Sequence, residues 1–267
     1  MASLKFLLSR SHSRALLLVG LVLVCFGVIL GFASHPYWSA ILLSIGSSIM
    51  ATVLVWLMTP TNQEAYEEFL SLGITKAYPS RDRVDTTQWV KWLRSARRRC
   101  VLLGTSHSKW CTDADFKDAL EDRLRNNVDV AILFLDPLKW AVKVRAREEA
   151  AGRDTIHEIK TAIRVLWTIR AGLLPDLQAR LKLYVYEATP SMGVTWIDDR
   201  FMVVSHILAG SRNVTSPCLL LEPGRYHSQH QGLYETYERN VLSIETGFST
   251  EIEEANVHNY LPPEPNA

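Results

Sequence analysis

Two long apolar runs open the chain. Residues 15–33 carry no charged side chain, and residues 37–58 repeat the pattern after a short Ser34-His35-Pro36 connector. Each run is long enough to cross about 30 Å of hydrocarbon as a helix. Tyr37 and Trp38 stand where aromatic rings favour a lipid–water interface, and Lys5, Arg10 and Arg14 precede the first run while the connector has no Lys or Arg. The positive-inside bias then places both termini, and the globular part, on the cytoplasmic side of a multi-pass membrane protein. A cleaved signal peptide is the rival reading, with Gly31-Phe32-Ala33 as its cleavage site, but the second run follows at once. Gly27 and Gly31 form a GxxxG, which allows close helix approach either within the hairpin or between copies in a homo-oligomer.

Downstream the periodicity changes. Residues 88–97 are amphipathic, with Trp89, Trp92, Leu93 and Ala96 on one side. Residues 100–103 read as a short strand, and Phe116, Ala119, Leu120 and Leu124 recur at helical spacing behind a cap at Thr112 or Asp113. The unbroken run 128–135, closed by Asp136-Pro137, reads as a buried strand. That order is a β-α-β unit, so its two strands are expected to be parallel. A helix over 154–171 follows, with a stripe of Ile156, Ile159, Ile163 and Leu166 and a stop at Gly172. Strands are expected at 181–187, 192–197, 201–208 and 218–221, with Asp198-Asp199-Arg200 as a hairpin turn, and a closing helix at 233–244.

The expected organisation is a cytoplasmic N-terminal segment 1–14, a transmembrane hairpin 15–58, a linker 59–78, a domain 79–250 and a flexible tail 251–267. The fold class is two transmembrane α-helices followed by an α/β domain, a mixed β-sheet with helices on both faces. Composition adds little: the net charge of +1 argues against non-specific nucleic-acid binding. Cys25, Cys100, Cys111 and Cys218 form no CxxC and read as free thiols in a reducing compartment. No cofactor motif or metal-ligand set is apparent.

The landmarks VLLGTSHSKW, VDVAILFLDP, LKLYVYEATPSMGVTWIDDRFMVVSHILAGSRN and LYETYERNV follow one another in an order that resembles one half of the phospholipase D superfamily, over residues 72–245. The resemblance implies a phospholipase D-like sheet and an HxKxxxxD motif supplying a nucleophilic His, a phosphate-binding Lys and an orienting Asp. With Asp198 at the Asp position, Ser191 falls at the His position and Gly193 at the Lys position. Neither can attack phosphorus or balance a phosphate charge. Gly210-Ser211-Arg212-Asn213 has the letters of the superfamily's GSxN but lies several residues too far along. The resemblance also implies a bacterial inner-membrane setting, where similar domains accompany signalling and antiphage defence proteins.

Three functional readings follow. The first is a membrane-anchored, catalytically degenerate sensing or effector module that binds a phosphate-bearing ligand or a partner protein through Arg81, His107, Lys109, Ser211 and Asn213. The second is a phosphodiesterase of lipid or nucleic acid with a rearranged site at His107, Lys109, Asp198 and His206; His107-Ser108-Lys109 with Asp113 is one residue short of the motif. The third is a scaffold that brings a partner to the membrane. For the first, the amides opening the helix after Asp113 are added anion donors.

Overall fold

A computed structural model describes residues 10–32, 36–58, 69–148, 154–189, 191–207, 215–223 and 232–263; in the first two helices the described side chains are those of residues 18–29 and 40–51. The chain divides into two compact units, Met1–Glu68 and Phe69–Ala267.

In the first unit, α1 (Arg10–Phe32) and α2 (Pro36–Met58) pack on one another through glycines. A Cβ on Gly46 would lie 2.7 Å from Val24 Cγ2 and 2.9 Å from the Gly20 carbonyl. One on Gly27 would lie 3.1 Å from Leu43 Cγ. Gly27 therefore meets the second helix of its own hairpin, while the side-chain environment of Gly31 lies outside the described residues. The expected transmembrane spans are corrected here: among the described residues no helix is long and apolar enough to cross a membrane. The described side chains cover residues 18–29 and 40–51, about 18 Å of helix each at 1.5 Å per residue, against about 30 Å of hydrocarbon.

The second unit is built on an eight-stranded mixed sheet ordered β1-β7-β6-β5-β2-β3-β4-β8. The strands are β1 (Ile74–Tyr78), β2 (Arg99–Gly104), β3 (Asp129–Leu135), β4 (Leu181–Tyr186), β5 (Met192–Ile197), β6 (Phe201–His206), β7 (Cys218–Leu221) and β8 (Ser249–Glu251). β2, β3 and β4 run parallel, as the β-α-β reading requires, and every other pairing is antiparallel. The continuous apolar run of β3 is explained by burial on both faces: residues 130–135 are all buried.

Helices cover both faces, and strand alternation tells the faces apart. Trp196, Arg99 and His206 share one face with α9 (Leu233–Gly247): Trp196 Nε1 donates to Tyr234 Oη at 2.9 Å, and Arg99 pairs with Glu245. Phe201 lies on the other face, under Trp92 of α3 (Thr86–Arg94). Trp92 abuts Trp89, which abuts Trp110, which abuts Phe116 of α5 (Ala114–Arg125). Trp110 itself belongs to the short α4 (Ser108–Cys111).

Two segments differ from expectation. β1 lies inside the stretch read as linker, where it pairs with β7. The stretch read as a flexible tail adds the edge strand β8 and a 3-10 turn, Val257–Tyr260, burying Ile252, Val257 and Tyr260. Between the expected strand closed by Asp136-Pro137 and the expected helix over 154–171 the chain forms a further helix, α6 (Trp140–Glu148); α7 (Thr155–Ala171) and α8 (Pro175–Gln178) follow.

Candidate functional site

Parallel strands end in an edge where loops leave the sheet in the same direction, and ligands favour that edge. Here it lies beyond Gly104 of β2 and Leu135 of β3. Antiparallel pairing brings the start of β5, the end of β6, the start of β7 and the end of β1 to the same edge. A row of small residues crosses it on the α3 face. Gly193 pairs with Ser205, Ser205 with Cys218, and Gly104 follows Leu103, whose partner Val194 follows Gly193. Gly104, Gly193, Ser205 and Cys218 thus set four small residues side by side on four adjacent strands.

Two polar side chains reach this corner from different loops. The His107 ring sits on Gly104, where an added Cβ would be 3.0 Å from its Cε1, and meets Phe134 edge-on. Its Nε2 is 3.0 Å from the Leu133 carbonyl, so Nε2–H donates and Nδ1 is left as the acceptor. The backbone of His107 is left-handed, φ 51°. Burial, opposed by that hydrogen bond and assisted by the nearby charge of Arg81, lowers the imidazole to about 4 and keeps it neutral. Arg81 follows β1, its backbone N–H donating to the Ser216 carbonyl at 2.9 Å and its guanidinium lying 4.8 Å from the Trp89 ring centre. Burial lowers its pKa, and its charge opposes the rise to about 11 that burial imposes on Cys218. Among the described residues no carboxylate pairs with Arg81. A half-buried guanidinium on an aromatic platform, with no carboxylate partner among the described residues, is suited to a planar or tetrahedral oxyanion.

The other sequence candidates fall elsewhere. Asp198 stands at the opposite end of the sheet: Ile197 pairs with Cys100 and Asp198 N donates to the Arg99 carbonyl, about 17 Å of strand from Gly104, on which the His107 ring sits. Its buried carboxylate accepts the backbone N–H of Arg97, Arg98 and Arg99 at 2.8–3.2 Å and Nε of Arg200 at 3.2 Å. It ties the β5–β6 turn to the head of β2 and orients no imidazole. His206 is at the right edge but on the α9 face, its Nε2 2.6 Å from Tyr237 Oη. The sheet therefore separates His206 from His107. The amides opening α5 are also taken, since Asp113 accepts from Asp115 N at 2.9 Å and Phe116 N at 3.3 Å. Ser211, Asn213 and the side chain of Lys109 lie outside the described residues. Ser191 is exposed at the start of β5 and Gly193 is buried within it. No cluster of metal-ligating side chains occurs among the described residues.

Sequence reasoning singled out Arg81 and His107 but missed Trp89 as the guanidinium's platform and the row of small residues beneath. Trp89 carried only an amphipathic-helix signal, and the row exists only once strand register is known.

Residues 74–250 match the model of a family described as a domain of unknown function, DUF5919. The chain belongs to this family. The match begins at the first residue of β1 and ends inside β8, so the unit the family shares is the complete sheet with its helices. No curated protein matches. Among solved structures, the chain is similar to TrmBL2, an archaeal chromatin protein, at 10% identity over 80% of this chain and 70% of that one, TM-score 0.39. It is also similar to phosphatidylserine synthase of Haemophilus influenzae, at 11% identity and TM-score 0.42, covering 66% of this chain and only 39% of the synthase. A third is Nuc from Salmonella typhimurium, a phospholipase D family member, at 12% identity, 63% and 90% coverage and TM-score 0.35.

Proposed function

We propose that this DUF5919 domain is a binding module for a phosphate-bearing ligand, catalytically degenerate, acting in sensing or regulation. The observation that carries the reading is Arg81: a half-buried guanidinium 4.8 Å from the Trp89 ring centre, without a carboxylate partner among the described residues, beside a neutral His107 above a row of small side chains. A charge drawn that far out of water without a counter-ion is costly, and an incoming oxyanion removes the cost. Gly193 occupies the place at which the phospholipase D resemblance expects a cation, and it lies in the row over which Arg81 and His107 sit. In this reading two groups from loops take the part of that one strand residue, without a nucleophile at Ser191.

Titration calorimetry of the purified full chain with inorganic phosphate, a nucleoside monophosphate and a glycerophosphate tests this. Binding to at least one is expected. Arg81→Ala should weaken it about ten- to a hundredfold, the loss of a charge-assisted hydrogen bond, and Arg81→Lys should restore part of it. Equal affinity in wild type and Arg81→Ala overturns the reading. Turnover of phosphodiester substrates abolished by His107→Ala would make the protein the phosphodiesterase of the alternative reading.

A further inference from the structure

We infer that α6 and the turn before it form a docking face for an anionic lipid surface. The proposal rests on this patch alone and not on the ligand reading above. α6 buries Ala141, Val142 and Arg145. Its outer side carries Trp140, 60% exposed, with Val144 one turn on at 38%, and Leu138 of the preceding turn at 50%. Lys143 and Arg147 follow Trp140 by three and seven residues, so all four helix residues project on one face. Lys143 and Arg147 are exposed, and among the described residues neither pairs with a carboxylate. Lys139 adjoins the patch, its Nζ 2.8 Å from Glu187.

A Trp surrounded by aliphatic side chains and flanked by lysine and arginine is the composition of an interfacial element. The ring and the aliphatic groups enter the headgroup region, while the long cationic stems reach lipid phosphates. The helix is short, nine residues. Anionic lipid complements its charge, and the patch binds from outside the bilayer. It directly follows the ligand-favouring end of β3, so docking turns that edge of the sheet toward the surface.

The test uses the full chain in a Cys25→Ser background, which removes the exposed native thiol, with an environment-sensitive fluorophore on Leu138→Cys. Vesicles of phosphatidylcholine alone are compared with vesicles containing one third phosphatidylserine. A blue shift with the anionic vesicles alone is expected, reversed by high salt. Each of Lys143→Glu and Arg147→Glu should raise the lipid concentration needed by about fivefold or more, and Trp140→Ala should abolish the shift with the anionic vesicles. The same label on Glu121→Cys of α5 should stay in water throughout. If the chain co-sediments with vesicles while the label at 138 stays in water, another part of the chain binds lipid and the inference fails. It also fails if the label shifts only on adding an acidic protein and never with lipid. Circular dichroism identical to wild type in each variant excludes misfolding as the cause.

Discussion

The carboxylate of Asp198 receives three backbone N–H groups and an arginine Nε at one end of the sheet, while the imidazole of His107 is held neutral at the other. Both are costly to disturb, and they titrate in different windows. Burial raises the Asp198 pKa, but the amides of Arg99, Arg98 and Arg97 and the charge of Arg200 outweigh it and leave the group below the usual carboxylate range. Its contribution to stability is complete above the unfolded value of about 3.9 and is lost as pH falls through the lower folded value. Asp198→Ala strands buried donors and should cost about 2–4 kcal/mol at pH 7. Asp198→Asn retains one acceptor and tolerates the left-handed φ of 50°, so it should cost less. His107 behaves differently. An imidazole near 4 when folded and about 6.5 when unfolded is protonated first in the unfolded chain. Its contribution is therefore full above about pH 6.5 and declines toward pH 4. Denaturant midpoints measured from pH 7.5 to pH 3 should show both losses, with the upper one absent in His107→Asn. A wild-type midpoint that is flat from pH 7 to 4 would contradict a buried neutral His107.

At the scale of elements, the stretch after residue 250 gives a clear test. Ile252 is fully buried, and Val257 and Tyr260 are nearly so, beside an edge strand paired with β4. Ile252→Ala should cost about 2–5 kcal/mol, and a chain ending at residue 250 should unfold at markedly lower denaturant. In the first unit, Gly46→Leu cannot be accommodated without parting the helices, because the backbone of Gly20 and Val24 N lie 2.9 Å and 3.0 Å from the new Cβ. Spin labels on Val22 and Ile45 in a Cys25→Ser background should move apart in that variant. Strands with strong periodicity or unbroken apolar runs were legible in the sequence, as was the parallel pairing of β2 with β3. β1 was not: ITKAY alternates weakly, with no residue of the strand fully buried, so only its pairing with β7 shows it to be a strand. The closing segment was missed because acidic and proline-rich composition hides three well-spaced apolar anchors. α6 was missed because its charged residues mask a buried Arg145. The transmembrane reading came from two long uncharged runs with flanking Tyr37 and Trp38 and preceding Lys5, Arg10 and Arg14, and among the described residues no helix is long and apolar enough to carry it. The candidate site was half legible: Arg81 and His107 stood out as residue types, whereas the distance between Asp198 and His107 depends on strand register.

For the molecule as a whole, the question is whether the sheet assembles a phosphodiester-cleaving centre. A nucleophilic His needs a partner carboxylate and a cation within reach of one phosphorus atom. Among the described residues the two histidines at the ligand edge lie on opposite faces of the sheet, His206 bound to Tyr237 and His107 to the Leu133 carbonyl. The one carboxylate the phospholipase D resemblance supplies is at the far end, committed to the backbone of β2. The full chain incubated with phospholipid, cyclic and linear nucleotides, and single- and double-stranded DNA should therefore give no product above buffer, at any pH from 5 to 9. Anion binding should survive Asp198→Asn, which touches only the distal end, and fall in Gly104→Ala, whose new methyl displaces the His107 ring without removing any polar group. That pair separates the two ends of the sheet by their effect on ligand alone. Binding lost in Asp198→Asn but kept in Gly104→Ala would place the ligand at the turn end of β5 and β6 and remove the Arg81 corner as the site.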